Sequence, residues 1–320
     1  MMYSSDLKYL MNLPKFEYFE PKTVEEACRL LGEYKDEARI LAGGTDLVVA
    51  MKQREAAPKY IINIKPIDSL HYIRCHENGS LEIGAATTLN EIEKSRLARE
   101  RFPLVALAAG MTGPPSIRNV ATMAGNFCTA LPSADSAPLM ICLGAKVKIQ
   151  GAGGVRAINL EDFFICTKKS ILQNDEILTE IEAPSLPAHS AGTYIKNPER
   201  SNTDIAVAGV AAVVTMDEDR NRIIEAKIVL GAVAPTPLRA FRAEEILIGS
   251  AVSEEIITEA ALAASQEASP RTRFDYKRQL VKVLTKRALT KICAQLAPPG
   301  PAGRPFRHEV GNAQPFLIKK

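Results

Sequence analysis

The stretch of this chain whose residue types are best suited to holding a ligand is the turn Leu41–Asp46, with the sequence Leu-Ala-Gly-Gly-Thr-Asp. It follows a short apolar run typical of a β-strand and precedes a helical pattern from Leu47 to about Arg54. Two adjacent glycines let a backbone approach a bulky ligand closely. The N–H groups of such a turn and of the helix N-terminus after it suit a diphosphate. The alternative is an ordinary strand–turn–helix connection with Asp46 as the helix N-cap.

The residues around this turn predict a β-α-β arrangement. Thr23 followed by Glu26 matches a capping box, and the apolar residues after it recur at helical spacing. The run Tyr60–Ile64 is short and apolar, which favours a buried strand. The turn at 41–46 therefore lies between two predicted strands, next to the first helix.

A second stretch, Gly110–Asp135, is rich in small, polar and proline residues and has little periodicity. A loop of that length inside a compact domain is usually functional or disordered. Apolar residues punctuate it, so we predict an ordered binding loop.

The rest of the chain divides into two regions. Helical and strand patterns alternate up to about residue 187. From about residue 190, three apolar strand patterns are followed by two helical ones, Ser253 to about Ala268 and about Arg273 to Leu296. Strands followed by helices predict a small α+β domain. The tail 297–320 is rich in Pro, Gly and Arg and is predicted to be an extended segment.

Composition argues against several classes of protein. The 320 residues are 46% hydrophobic and 24% charged, as in ordinary globular proteins. The net charge is only +3 and the basic residues are dispersed, which argues against a nucleic-acid-binding protein. The chain has no apolar run of about 18 residues and no signal-peptide pattern at Met1–Asp6, so we expect a cytoplasmic protein without a membrane span.

The cysteines and histidines do not form a metal motif. None of the six cysteines belongs to a C-x-x-C pair, and the four histidines are scattered. Iron–sulfur and structural zinc sites usually contain a close cysteine pair. We therefore expect free thiols and assign no metal to this chain.

Three motifs in the same order and register resemble those of the FAD-binding medium subunits of the molybdenum hydroxylases, the group of xanthine, carbon monoxide and nicotinate dehydrogenases. The turn Ala42–Asp46 resembles the first flavin motif. The stretch Arg118–Asn126, completed by Pro132–Asp135, resembles the second. Asp175–Leu178, followed by Lys196 and Asp204–Ala206, resembles a third region near the flavin ring. The resemblance covers about residues 12–295.

The resemblance implies an α+β fold: a two-lobed FAD-binding domain of the PCMH/vanillyl-alcohol-oxidase type over 12–187, then a C-terminal domain over 190–296 with an antiparallel sheet and helices. It implies non-covalent FAD between the lobes. The implied cofactor-binding residues are Leu41, Ala42, Gly43, Gly44, Thr45, Asp46, Thr122, Gly125, Asn126, Asp135, Leu178 and Lys196.

The resemblance also implies separate roles for these residues. The first turn, with Thr122, Asn126 and Asp135, would contact the diphosphate, the ribityl chain and the ribose. Leu178 would pack beside the flavin ring, and Lys196 would place positive charge near it. The alternatives are a solvated strand lysine at Lys196 and a helix N-cap at Asp135.

Two positions and one segment length distinguish this chain within the family. Thr112 stands where the animal enzymes have an aromatic residue on the flavin. Ala124 replaces the first of two usual glycines, which is tolerated if its φ is negative. Only eight residues separate Asn126 from Asp135, leaving no room for the cysteine-rich insert of 4-hydroxybenzoyl-CoA reductases.

The resulting expectation is the FAD subunit of a molybdenum dehydrogenase or hydroxylase. It would receive electrons from [2Fe-2S] clusters on a small partner, while a large partner carries molybdopterin and the substrate. It would pass electrons to NAD⁺ or another acceptor, and no side chain need act as general acid or base. The alternatives are a self-contained flavoprotein oxidoreductase on the same fold and a non-catalytic assembly subunit.

Overall fold

The first lobe is built on a small parallel sheet in the computed structural model, which describes residues 12–201 and 203–297. Its strands lie in the order β1-β3-β2, and two helices connect them, as the β-α-β prediction requires. The bounds are β1 Glu17–Phe19, α1 Val24–Tyr34, β2 Ala38–Leu41, α2 Leu47–Lys52 and β3 Tyr60–Asn63. The second helix is thus two residues shorter than expected.

Helix α1 begins at the predicted cap but without the full capping box. The Thr23 hydroxyl accepts from the Glu26 amide at 3.2 Å. The Glu26 carboxylate accepts from the amide of Lys22 at 2.9 Å rather than from Thr23. The cap therefore satisfies one free amide of the helix, and the glutamate satisfies one in the preceding turn.

The second lobe is a five-stranded antiparallel sheet in the order β4-β5-β10-β6-β7. Its strands are β4 Ile73–Cys75, β5 Leu81–Gly84, β6 Lys146–Gly151, β7 Gly154–Asn159 and β10 Ile177–Ala183. A two-stranded ribbon joins β7 to β10, made of β8 Phe164–Cys166 and β9 Lys169–Ser170. Short 3₁₀ helices span Lys35–Glu37, Asp68–Leu70 and Leu160–Phe163.

Six helices lie between β5 and β6: α3 Leu89–Lys94, α4 Arg96–Arg101, α5 Pro103–Gly110, α6 Pro115–Arg118, α7 Met123–Thr129 and α8 Ser136–Cys142. Two of them, α6 and α7, fall inside the stretch expected to be a loop, so that expectation was wrong in part. A proline starts α6 and Thr122 caps α7. Both helices are too short to display a helical period in the sequence.

The C-terminal domain is an antiparallel meander followed by helices. Its strands, in spatial order, are β11 Ser190–Pro198, β12 Ala206–Met216, β13 Ile223–Gly231 and β14 Leu238–Arg239. Its helices are α9 Phe241–Leu247, α10 Glu254–Glu267 and α11 Phe274–Leu296. The last two match the two helical patterns found in the sequence.

Both faces of β12 are buried, which explains its continuous Ala/Val composition. Ala211 and Val213 belong to the core of the FAD-binding domain. Ala212 and Val214, on the opposite face, belong to a second core formed with the C-terminal helices. Alternate residues of a strand face opposite sides, so a strand covered on both faces is apolar throughout. The C-terminal sheet is therefore packed firmly against the rest of the chain.

Within the described residues, no helix is both long enough and apolar enough to span a membrane. Apart from residue 297, the predicted tail lies outside the described residues, as does the N-terminal stretch 1–11. The predicted domain boundaries remain predictions.

Candidate flavin-binding site

The first glycine turn and the second motif are in direct contact, and Gly43 makes that contact possible. A Cβ at Gly43 would lie 2.5 Å from the Val120 carbonyl oxygen and 2.6 Å from Ala121 Cα. Atoms in ordinary contact keep about 3.5–4.0 Å. Only glycine lets these two backbone segments approach so closely, and they form one surface.

Gly44 has a different task. Its φ is +74°, in the left-handed region that favours glycine. A Cβ there would point at Leu41 and Val48, at 2.9 and 3.5 Å, within the turn itself. Gly44 therefore allows the chain to change direction between β2 and α2.

The turn leaves amide groups free at the start of α2. The first amide bonded in the helical pattern is that of Val48, which donates to the Gly44 carbonyl at 3.0 Å. The amides of Thr45, Asp46 and Leu47 precede it, so the helix supplies them with no acceptor. This donor set suits an anionic group such as a diphosphate.

Asp46 occupies the N-cap position of α2, but its side chain makes no capping bond. Its Oδ2 instead lies 3.3 Å from the Thr129 hydroxyl at the end of α7, which shares its single proton between this carboxylate and the Gly125 carbonyl at 2.9 Å. Asp46 therefore occupies the predicted N-cap position, but its side chain does not bond to the amides of the helix. The side chain joins the first motif to the second.

The second motif is arranged around the start of α7. Thr122 Oγ1 accepts from the Gly125 amide at 2.9 Å and caps the helix. Asn126 Oδ1 accepts from the Ser136 hydroxyl at 2.6 Å, which ties α7 to α8 and leaves the Asn126 amide nitrogen as a donor. Ala124 is a helical residue without positive φ, so its replacement of glycine introduces no strain.

Asp135 and Lys196 form a buried ion pair between the two domains. Lys196 Nζ lies 2.7 Å from Asp135 Oδ2, and it also donates to the carbonyls of Met111 at 2.9 Å and Asp204 at 3.1 Å. These three acceptors use all three ammonium protons. The Lys196 side chain is fully buried, so the alternative of a solvated strand lysine was wrong.

The second oxygen of Asp135 accepts from the Tyr194 hydroxyl at 2.8 Å. Burial raises the pKa of Asp135, although hydrogen bonds and charge from Lys196 and Tyr194 act in the opposite direction. Burial and the neighbouring carboxylate raise the pKa of Tyr194 well above its ordinary value, so the phenol stays protonated as a donor. Asp135 starts α8 without a capping bond, which excludes the side-chain N-cap alternative.

Leu178 and Thr112 lie at the edges of this region. Leu178 is buried in the core of the FAD-binding domain, next to a bulge where β10 pairs with β6. The Thr112 hydroxyl donates to the Ala108 carbonyl at 3.1 Å, just after helix α5.

The sequence did not mark Tyr194, Ser136, Thr129 or the Met111 carbonyl as part of the site. Asp204 was placed in the third region by the resemblance, but not as a partner of Lys196. A signal for Tyr194 was present, because Tyr194 and Lys196 are two residues apart on a predicted strand and so share a face. Ser136 and Thr129 gave no such signal, since their partners come from elements whose packing the sequence does not reveal.

The residues present fit a dinucleotide. The surface combines the free amides at the start of α2, the Ala124 amide in the first turn of α7, for which that helix supplies no acceptor, a glycine at position 125 without a side chain, and polar groups from both motifs. The fold and these paired motifs define a flavoprotein of the two-lobed FAD-binding class.

Comparison with known families agrees with that class. Residues 14–186 match the family described as "FAD binding domain in molybdopterin dehydrogenase". Residues 193–292 match the "CO dehydrogenase flavoprotein C-terminal domain". The chain therefore belongs to the FAD-binding medium subunits of the molybdenum hydroxylase family, and it is an oxidoreductase subunit.

The relatives are similar over nearly their whole length. The carbon monoxide dehydrogenase medium chain of Hydrogenophaga pseudoflava is 35% identical over 288 residues, covering 89% of this chain and 99% of that protein. The nicotinate dehydrogenase FAD-subunit of Eubacterium barkeri is 35% identical over 290 residues, covering 88% and 97%. A solved structure of the Hydrogenophaga pseudoflava carbon monoxide dehydrogenase superposes with a TM-score of 0.86 over 90% of this chain and 100% of that chain.

Proposed function

We propose that this chain is the electron-transfer subunit of a multi-subunit molybdenum dehydrogenase or hydroxylase, with FAD bound non-covalently between its motifs. It would take electrons from [2Fe-2S] clusters of a partner and deliver them to NAD⁺ or another acceptor. The observation that carries the proposal is the contact of the Gly43 backbone with Val120 and Ala121. That contact merges two separate motifs into one surface of backbone donors.

We assign the diphosphate to the free amides of the Leu41–Asp46 turn and of the start of α7. The Thr122 hydroxyl holds the first turn of α7 in shape, and the Asn126 amide nitrogen is a donor toward the ribityl chain. Leu178 would provide an apolar surface beside the ring. When bound, FAD supplies the chemistry that links one-electron to two-electron transfer. These side chains only bind and orient the cofactor.

Asp135 and Lys196 would act together. Because the Lys196 ammonium is neutralised by Asp135 and all its protons are used, the pair would act on the flavin as a nearly neutral unit. Its contribution is to fix β11 of the C-terminal domain against the segment that precedes α8. We therefore expect Asp135 and Lys196 to provide a rigid polar surface beside the flavin rather than a free positive charge.

The partners follow from the relatives. Proteins named as a medium chain or FAD-subunit are matched almost end to end, so we propose that this chain too is one subunit of a larger assembly. The molybdopterin would be on a large partner and the [2Fe-2S] clusters on a small one. We place the assembly in the cytoplasm. For this chain we propose domains at 12–187 and 190–296 and an extended tail from 297.

The test is to purify the chain alone and titrate it with FAD. We expect stoichiometric binding with a visible flavin spectrum, reduction by a chemical reductant, and no turnover of a substrate without partners. Turnover by the isolated chain would favour the self-contained flavoenzyme, and a chain that binds no FAD would overturn the proposal in favour of an assembly subunit.

A further inference from the structure

The C-terminal domain holds the segment Pro132–Asp135 at a second point, in addition to the Lys196 ion pair. The amide of Ala232, just after β13, donates to the Pro132 carbonyl at 2.7 Å. The carbonyl of Ala232 accepts from Lys277 Nζ, also at 2.7 Å. One residue thus connects helix α11 to the segment that carries Asp135.

Ala232 adopts an unusual conformation to make both bonds. Its φ is +62°, in the left-handed region that disfavours any residue with a Cβ. Gly231 lies against α8, because a Cβ there would be 3.1 Å from Pro138 Cγ. The end of β13 therefore contacts both ends of the segment 132–138, and the two polar groups of Ala232 bond to different elements.

The backbone that carries Lys277 is fixed at the start of α11. It is in the first turn of α11, and its amide bonds the Arg273 carbonyl at 2.9 Å. Its neighbour Arg278 donates to the carbonyls of Ala268 and Gln266, at 3.0 and 2.8 Å, which fixes the start of the helix against the end of α10. Burial, with a smaller effect of the nearby Arg273 charge, lowers the pKa of Lys277, as expected for an amine placed toward the protein.

We propose that Lys277 is a positioning residue for flavin binding: through Ala232 it holds Pro132–Asp135 in the geometry that the cofactor requires. The inference rests on the proposed function. It gives α11, the last helix of the described chain, a direct part in shaping the FAD site. Lys277 does not have to touch the cofactor, because its effect passes through a single backbone residue.

The test replaces the lysine and measures FAD binding. Lys277→Met removes the charged donor and keeps most of the apolar stem, whereas Lys277→Arg keeps a donor. Losing a hydrogen bond from a charged group to this partly buried carbonyl corresponds to about tenfold in affinity. We expect a rise of about tenfold in the FAD dissociation constant for Lys277→Met, a changed visible circular dichroism of the bound flavin, and recovery of both in Lys277→Arg.

The matched control is Lys286→Met, on the same helix, where the lysine pairs with Glu254 at 3.0 Å on the surface between α10 and α11. This variant should bind FAD like the wild type. Wild-type affinity and an unchanged flavin spectrum in Lys277→Met would overturn the inference while leaving the proposed function intact. A wild-type chain that binds no FAD would overturn both.

A second pair of variants serves if Lys277→Met does not fold. Ala232→Gly removes the Cβ that disfavours positive φ and keeps both bonds, so FAD affinity should be retained. Ala232→Val puts a branched side chain in a conformation that such residues avoid, so affinity should fall with Lys277 still present. Equal affinity in these two variants would contradict the role given to this link.

Discussion

Gly43→Ala is the substitution that probes the site most sharply, since it adds a single methyl group. That methyl carbon would be 2.5 Å from the Val120 carbonyl oxygen and 2.6 Å from Ala121 Cα. Both atoms belong to the backbone, so no side chain can rotate away. The two motifs must move apart by about 1 Å to restore ordinary contact distances of about 3.5 Å.

The size of the effect follows from the cost of overpacking. Inserting a methyl group into a well-packed site typically costs about 1–3 kcal/mol. If that cost falls on the conformation that binds FAD, the dissociation constant rises by about fivefold to about a hundredfold, at about 1.4 kcal/mol per factor of ten. The remainder would appear as a lower melting temperature of the apo chain.

The assay is a titration of apo protein with FAD, followed by flavin fluorescence, next to thermal melts with and without the cofactor. Gly153→Ala is the matched control, because a Cβ at Gly153 would meet no atom within 4 Å. An unchanged affinity and melting temperature in Gly43→Ala, equal to those of the control, would refute the claim that the motifs form one surface through this glycine.

Two further predictions concern burial. Lys196→Met leaves a buried carboxylate without its partner and should lower the free energy of unfolding by about 3–5 kcal/mol, measured by urea denaturation. Arg96→Ala breaks an exposed pair with Glu100 and should lower it by less than about 1 kcal/mol. Equal losses in the two variants would contradict the buried role of Lys196. In the native chain, iodoacetamide should modify the exposed Cys166 well before the buried Cys142, whose pKa is raised by burial; mass mapping of the modified peptides checks this order, and early modification of Cys142 would contradict it.

Local features of the fold were predictable from the sequence where a single element decides them. The turn at 41–46, the cap at Thr23 and the helix capped by Ser253 all match, since each rests on contacts between residues close in the chain. The C-terminal meander also followed, because its strands are long and apolar and its connections are short.

The packing of these elements against one another was harder to predict from the sequence. The Ala/Val run Ile205–Met216 predicts a strand, but nothing local shows that Ala211 packs on one domain and Ala212 on another. The contact at Gly43 has the same character, because its neighbours lie far along the chain. A glycine in a turn can allow a positive φ, as Gly44 does, or close packing of two backbones, as Gly43 does. The sequence does not distinguish these two roles.

Lys196 illustrates the limit most clearly. The family resemblance marked the residue, and the residues around it could not decide between a charge near the ring and a solvated lysine. Its partners are a carboxylate and two carbonyls from three separate parts of the chain. Only the folded arrangement shows that the ammonium has no proton left for another acceptor.

The most direct test of the central claim is the composition of the assembly that this chain forms in its native host. Affinity purification of the tagged chain, followed by analysis of flavin, molybdenum and iron, should yield FAD together with both metals and two further polypeptides, one larger and one smaller. A chain that elutes alone, or with partners that contain neither molybdenum nor iron, would contradict the assignment to a molybdenum hydroxylase complex.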